Sequence, residues 1–482
     1  AMPTGAGFAG EDGVEGFEEL EEEEGEEGES EDGGGVVGHG ETYAMEPMEF
    51  GERADTDSSQ KLWRIIYSSS GRFHRAIDKQ HKRYGAVFRV SPNELSFATP
   101  QAWKAIYGHQ PAGKDQPVKS HFYDLYGSGY KRLCIGSEQD PNVHRRMKRD
   151  LTAAFSTKAL LEQEGLISNC VDRFVSKIGE PAEPLNMTKW FEMISFDILG
   201  EMAFGESFGA VENGEPHFWS EMIVSHLYFI TILDNLARYP LFLTIGKSIL
   251  PWATTAVRDK HSGYTRKQVE RRLGTNSARK DFLSTLVKKV EGGEVDKEEM
   301  TAHVSTLVIA GGETTSTFLA ATTYYLLQTP NVYARFQAEI RNAFNSYDDI
   351  TAAAVQGLPY VQAVISEGLR MYPPGSQGFP RLSPSAGTDV AGCWVPQGTE
   401  MYVSAWSVTH DENNFHEPFT FKPERWLDPD FAYVEINLIL AKMHYKYDLE
   451  LVDPELDWEG QSTVHVMWSK PELLVRIKPK AA

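Results

Sequence analysis

One stretch constrains the fold more than any other. From Asp296 to Pro330 the chain keeps helical character with no proline between. Asp296 suits an N-cap, with Glu299 three residues on as its capping-box partner. Pro330 ends the run, because proline lacks an amide hydrogen and its ring clashes with the preceding turn. The spacing predicts a single long helix over about 297–329. At 1.5 Å per residue it would be about 45–50 Å long, enough to cross a whole domain.

Helical periodicity dominates from about Asn142 to Leu369, where Phe196, Gly200, Phe204 and Phe208 recur at four-residue steps on one face. From Pro373 the texture changes. Proline and glycine become frequent, and Cys393–Val395 and Met401–Ser404 read as short strands, with more after Asp448. Ala86–Val90 and Glu94–Phe97 read as a hairpin around Ser91-Pro92-Asn93. No repeat is visible. The fold class that follows is mainly α, with a small β region built from both ends of the chain. The most apolar stretch, Leu227–Trp252, is interrupted by Asp234, Arg238 and Lys247. That spacing suits amphipathic or interfacial helices better than a membrane span, and is compatible with peripheral membrane contact.

Charge divides the chain. Its 482 residues include 47 basic and 69 acidic ones, a net charge of −22. Residues 1–60 hold twenty acids and one base, Arg53, so they carry −19 and leave −3 for residues 61–482. Runs such as Glu21–Glu24 repel one another and have almost nothing to bury. Residues 1–60 are therefore expected to be a disordered acidic leader, and 61–482 one folded domain. A nearly neutral fold offers no basic face for nucleic acid. The leader shows neither the basic and apolar regions of a signal peptide nor a membrane span. Three cysteines, Cys134, Cys170 and Cys393, are too few for a disulfide framework and fit a reducing compartment.

Three motifs carry chemistry. Mid-way along the predicted long helix stands Ala310-Gly311-Gly312-Glu313-Thr314-Thr315. Each mid-helix glycine costs roughly 1 kcal/mol relative to alanine, so two together need a reason. Either a flat ligand or small gas molecule approaches the backbone there, or the helix kinks for packing and Glu313 is solvated. In the first case Glu313 and Thr314 form an acid–alcohol pair able to relay protons into a dry pocket. The second motif is Glu367-Gly368-Leu369-Arg370, whose charged residues meet at i and i+3 on a helix that Tyr372-Pro373-Pro374 ends. The third is Phe421-Lys422-Pro423-Glu424-Arg425-Trp426. Its Arg425, between large aromatic residues, can join Glu367 and Arg370 in a buried network of the kind that buried charge requires.

In this order, with the Pro380-Arg381 step before the third, the motifs resemble those of the cytochrome P-450 family of haem-thiolate monooxygenases. The resemblance covers residues from about 61 to 480. Arg89-Val90-Ser91-Pro92-Asn93-Glu94-Leu95 is similar to the first β region of fungal members. His144-Arg145-Arg146 through Ala154-Phe155-Ser156 is similar to the helix that reaches a haem propionate, and Lys280-Asp281-Phe282-Leu283 to the lead-in to the long helix. The resemblance implies that Glu313 and Thr314 serve oxygen activation. It makes Glu367, Arg370 and Arg425 the structural triad beneath the haem. His144 and Arg381 become propionate contacts, and Lys148 stands where the family usually has arginine, without that residue's planar fork. Haem, O2 and electrons from an NADPH-dependent reductase are implied as cofactors and partner. The implied reaction is hydroxylation or epoxidation of an apolar small molecule, in fungal secondary metabolism. Ser120–Cys134, Phe204–Tyr239, Gly375–Phe379 and Thr463–His465 would line the pocket. Family members sit on the endoplasmic reticulum membrane by an apolar anchor; with an acidic leader in its place, a cytoplasmic or peripheral protein is expected.

The pattern breaks at the family's defining loop, FxxGxRxCxG, which precedes a helix beginning [LF]AxxE. The helix start is present as Phe431-Ala432-Tyr433-Val434-Glu435, with Ala432, Ile436, Ile439, Leu440 and Met443 as its apolar face. The cysteine belongs five residues before Phe431, where Trp426 stands as part of the third motif. The haem-ligand loop is thus deleted between Asp430 and Phe431, and no metal ligand is assigned. Arg132-Leu133-Cys134-Ile135-Gly136 copies only RxCxG and falls on the distal side, while Cys170 and Cys393 read as small buried hydrophobes. Without thiolate donation oxygen activation is expected to fail. Two readings follow. The chain is a splice or gene-model product of an active monooxygenase gene, or a haem-free binding or regulatory relative whose acidic leader recruits a basic partner.

Overall fold

The computed structural model describes residues 54–480 except 111–114, 126–128, 153, 155–156, 240–258, 275–281 and 428–433. Expectations for residues 1–53 lie outside the described residues, as do those for Phe155, Ser156, Lys247, Lys280, Asp281, Phe431 and Ala432. Helix α1 spans Ala54–Ser69, so Ala54–Gln60, counted with the leader on charge, are helical. Two acids counted with the leader, Asp55 and Asp57, fall within this helix. A charge sum cannot tell such acids from a repelling run.

The next helices are α2 (Phe73–Tyr84), α3 (Pro100–Tyr107), α4 (Pro141–Thr152), α5 (Thr157–Ile178), α6 (Met187–Phe204) and α7 (Phe218–Ala237). The long helix, α8, spans Lys297–Gln328. Its 32 residues make it about 48 Å long. Asp296 caps it, accepting the Glu298 amide at 2.7 Å. The capping box is not made: Glu299 turns instead to Arg146 of α4 at 2.9 Å. Pro330 does more than stop α8, because it is the first residue of α9 (Pro330–Ala343), where a missing amide costs nothing.

The two mid-helix glycines have a packing reason. A Cβ on Gly311 would come within 3.0 Å of Leu199, and one on Gly312 within 2.8 Å of Phe196, both on α6. The pair lets α6 lie close against α8. Glu313 beside them is buried, not solvated. The C-terminal half of α8 shares the main apolar core with α5, α6, α9, α10 (Pro359–Met371) and α11 (Val434–Lys446). On α11 the predicted face is in place, since Ile436, Ile439, Leu440 and Met443 are all buried.

The small β region joins both ends of the chain. Strands β1 (Val87–Ser91) and β2 (Glu94–Phe97) form the expected hairpin. With β3 (Val118–Lys119), β5 (Arg381–Leu382) and β8 (Glu400–Val403) they make a sheet of order β1-β2-β8-β5-β3, in which only β2 and β8 run parallel. A second sheet pairs β12 (Leu474–Pro479) with β4 (Leu185–Asn186) and β9 (Tyr447–Leu451). Two further hairpins are β6–β7 (Thr388–Val390, Cys393–Val395) and β10–β11 (Thr463–His465, Met467–Ser469).

Asp234 and Arg238 do not face water or a bilayer. Arg64 of α1 reaches Glu94 at 2.7 Å and Asp234 at 2.9 Å, and Arg238 reaches Glu94 at 3.0 Å and Glu400 at 2.7 Å. Two guanidinium groups thus serve three carboxylates and tie α7 to α1 and the first sheet. Among the described residues no helix is long and apolar enough to cross a membrane.

Candidate active site

The site is built along one face of α8. Between Glu299 and Leu327 only Ala310 is exposed, with Thr306, Leu307, Ile309, Gly311 and Thr314 half-buried around it. At about 100° per residue these positions cover one broad side of the helix. Elsewhere between these residues the helix is enclosed by its neighbours. The Thr314 hydroxyl donates to the Ala310 carbonyl at 2.6 Å. Glu313, next in sequence, points roughly 100° away round the helix. It meets Lys470, which lies just past β11, and one of its carboxylate oxygens is buried without a partner. Glu313 and Thr314 therefore occupy different faces, and their side chains are not brought together.

A cationic cradle borders the same region. Lys119 on β3 and Arg381 on β5 stand directly opposite each other in antiparallel register. Like charges so placed repel. His144 of α4 is half-buried beside them, and Lys148 one turn on is exposed. Burial first, then Lys119, Arg381 and Lys148, push the His144 pKa down to about 4. Burial and Arg381 together push Lys119 down to about 8. The Arg381 Nε is buried without a hydrogen bond, and among the described residues no ion pair links these four groups to a carboxylate. Such a cradle fits the paired carboxylates of a dianionic ligand, as on a haem edge. Lys119 was not foreseen; only the register of two very short strands reveals it.

The ExxR helix and the third motif meet as one network. Arg370 grips Glu367 with two bonds of 2.8 Å and caps the Thr409 and Pro418 carbonyls at 2.7 Å each. Glu367 also accepts Arg425 Nε at 3.2 Å, Trp426 Nε1 at 2.7 Å and the Lys422 amide at 2.8 Å. Glu435 on the first turn of α11 accepts the Thr315 hydroxyl at 2.8 Å, and burial raises its pKa. Helix α11 thus touches α8 beside Thr314.

The predicted lining segments are divided between two spaces. A cavity of about 320 Å³ lies between α7, through Leu227, Tyr228 and Phe229, and the β10–β11 hairpin, through Thr463, His465 and Met467. A smaller space is bounded by Phe122, Thr231, Gln377 and Gly378.

A haem whose carboxylates lay in the cationic cradle would still need a thiolate for its iron. Cys134 packs against Thr306 of α8 at 2.9 Å, Cys170 lies on α5 and Cys393 on β7. No cysteine stands between Trp426 and Val434 in the sequence.

The order of motifs, the long helix and the mixed sheet agree with what the family comparison finds. The cytochrome P450 family model matches residues 62–435. The chain belongs to the cytochrome P450 family. It is 56% identical over 444 residues to cytochrome P450 monooxygenase ORF9 of Penicillium roqueforti (strain FM164), covering 87% of this chain and 86% of that protein. It is 48% identical over 441 residues to BOT4 of Botryotinia fuckeliana, covering 86% and 83%. A trichothecene C-4 hydroxylase of Trichoderma arundinaceum is 33% identical over 467 residues, covering 87% and 90%. A crystal structure of a cytochrome P450 (CYP102L1) has the same fold, with a TM-score of 0.70 over 84% of this chain and 94% of that one at 15% identity. By family the chain is a monooxygenase, a class of haem enzymes that use O2 and a redox partner.

Proposed function

We propose that this cytochrome P450 is built to hydroxylate or epoxidise an apolar small molecule in fungal secondary metabolism, and that the chain as written is inactive until its axial loop is restored. The cavity between α7 and the β10–β11 hairpin, walled by Leu227, Phe229 and Met467, supports the substrate class. The relative named for C-4 hydroxylation of a trichothecene supports oxidation at one carbon of a preformed skeleton. The lack of any cysteine between Trp426 and Val434 carries the second half. In an active form, His144, Lys119, Lys148 and Arg381 would hold the haem carboxylates. Haem would supply oxygen activation, with electrons from an NADPH-dependent reductase. The protein's own part is to keep the cavity apolar, to offer the Thr314 hydroxyl on α8, and to hold Glu313 as a proton donor. Contact with the endoplasmic reticulum surface is supported by the exposed apolar Leu62, Ile66, Tyr228 and Phe229.

The missing ligand also favours a second reading, a haem-free binding or regulatory relative. Carbon monoxide difference spectra decide between them. The ungrafted chain, supplied with haem and reduced, should give no thiolate-type band. A graft of FxxGxRxCxG between Asp430 and Phe431 should produce it. A thiolate band from the ungrafted chain would refute the inactivity, with Cys134 the first residue to replace. A folded graft without the band would hand the case to the haem-free reading.

A further inference from the structure

Lys470 follows β11 directly, and only 1% of its side chain is exposed. A buried ammonium needs anions, and this one has two. Glu313 of α8 is in direct contact, and Glu192 of α6 lies at 3.5 Å. The Thr317 hydroxyl is 3.1 Å away. Glu313 is as deeply buried as Lys470, whereas 19% of the Glu192 side chain is exposed. The cluster therefore runs from a part-exposed carboxyl, through a buried ammonium, to the buried carboxyl beside Thr314. Two carboxylates against one ammonium leave a surplus negative charge in a place that disfavours it, and a proton removes it.

We infer that Glu192 and Lys470 form the arm through which Glu313 takes up protons, so that protons enter from the α6 side and not through the substrate cavity. This rests on reading Glu313 as a proton donor. The transfer balances in two hops: Lys470 gives a proton to Glu313, and the protonated Glu192 replaces it. The cluster starts as acid, ammonium and carboxylate and ends as carboxylate, ammonium and acid. Glu192 then reloads from water. Burial, opposed by Lys470 and reinforced by Glu313, pushes the Glu192 pKa up to about 7, so it loads near neutral pH. Lys470 is itself buried, but its two carboxylates outweigh that cost and raise its pKa, so it stays charged. The other groups facing the cluster are Lys189 of α6, which lowers the Glu192 pKa, and Tyr372, whose hydroxyl is kept neutral by burial.

Infrared titration of the full chain, without haem, tests the arm. One carboxyl C=O stretch should titrate with a midpoint near neutral pH and should vanish in Glu192→Gln. In Lys470→Met the cation that lowers the Glu192 pKa is gone, so its band should persist to more alkaline pH, and Lys470→Arg should restore the parent midpoint. A neutral midpoint that persists in Glu192→Gln overturns the inference, as does an unchanged band in Lys470→Met. Glu192→Gln is isosteric and part-exposed, so it decides the matter alone should Lys470→Met fail to fold. The measurement needs neither haem nor turnover. Its failure would leave the monooxygenase reading standing, and a failed loop graft would leave the arm standing.

Discussion

Replacing Glu367 by alanine removes the acceptor for five hydrogen bonds, from Arg370 Nε and Nη2, Arg425 Nε, Trp426 Nε1 and the Lys422 amide. Glu367 is fully buried and Arg370 is 1% exposed, so water cannot take its place. Breaking a buried pair by deleting one partner costs about 3–5 kcal/mol. Arg370 keeps the Thr409 and Pro418 carbonyls, which solvate part of its charge and favour the lower half of that range. Unfolding entropy near 2.1 cal/mol/K per residue amounts to about 0.9 kcal/mol/K for a domain of this size, so the Tm should fall by about 3–5 °C. A melt followed by circular dichroism measures it. Glu367→Gln keeps the volume and one acceptor oxygen and should fall between parent and alanine variant. A Tm for Glu367→Ala within about 1 °C of the parent would show that the network does not hold this part of the fold together.

Acid should weaken the fold before its carboxylates titrate. Burial pushes the pKa of His74, His410 and His444 down to about 3 each. The unfolded chain protonates these groups below about pH 6.5 while the folded chain does not, so stability is level above that pH and falls as pH drops toward 3. Each contributes a slope of roughly 1.4 kcal/mol per pH unit inside that window. Urea melts with equal midpoints at pH 7.5 and 5.0 would refute neutral burial of these imidazoles. Arg238→Met leaves Glu94 and Glu400 to Arg64 alone and should loosen α7 from the sheet. A loss of about 3 kcal/mol corresponds to amide exchange roughly a hundredfold faster around Asp234–Ala237, and unchanged exchange there would count against the cluster as a tie.

What the sequence made legible was local. The long helix, the β1–β2 hairpin and the ExxR pairing rest on spacing, proline and turn residues within a few positions of one another. What it hid was long-range. Lys470 lies 157 residues from Glu313, and Lys119 faces Arg381 only through the register of two short strands. The same blindness affected Glu299. Its spacing from Asp296 satisfied a capping box, but Arg146 on a distant helix offered a full charge where the box offers one amide. For Gly311 and Gly312 the motif announced that something comes close, and only the packing of α6 says what does.

The deletion can be weighed in the same terms. If the loop were needed to hold α11 in place, its loss should leave that helix poorly packed. Yet Ile439, Leu440 and Met443 are fully buried, and Glu435 accepts its bond from Thr315. Further on, Lys442 reaches Asp172 of α5 at 2.6 Å, and β9 continues from α11 into its sheet with β12. Each of these contacts lies C-terminal to the gap and depends on α5, α8 or the second sheet. The network around Glu367, on the other side of the gap, is likewise complete without the loop. The two sides are therefore held by separate interactions. This is why a graft between Asp430 and Phe431 is a fair test: it asks the chain to accept a loop between two anchors that are already in place.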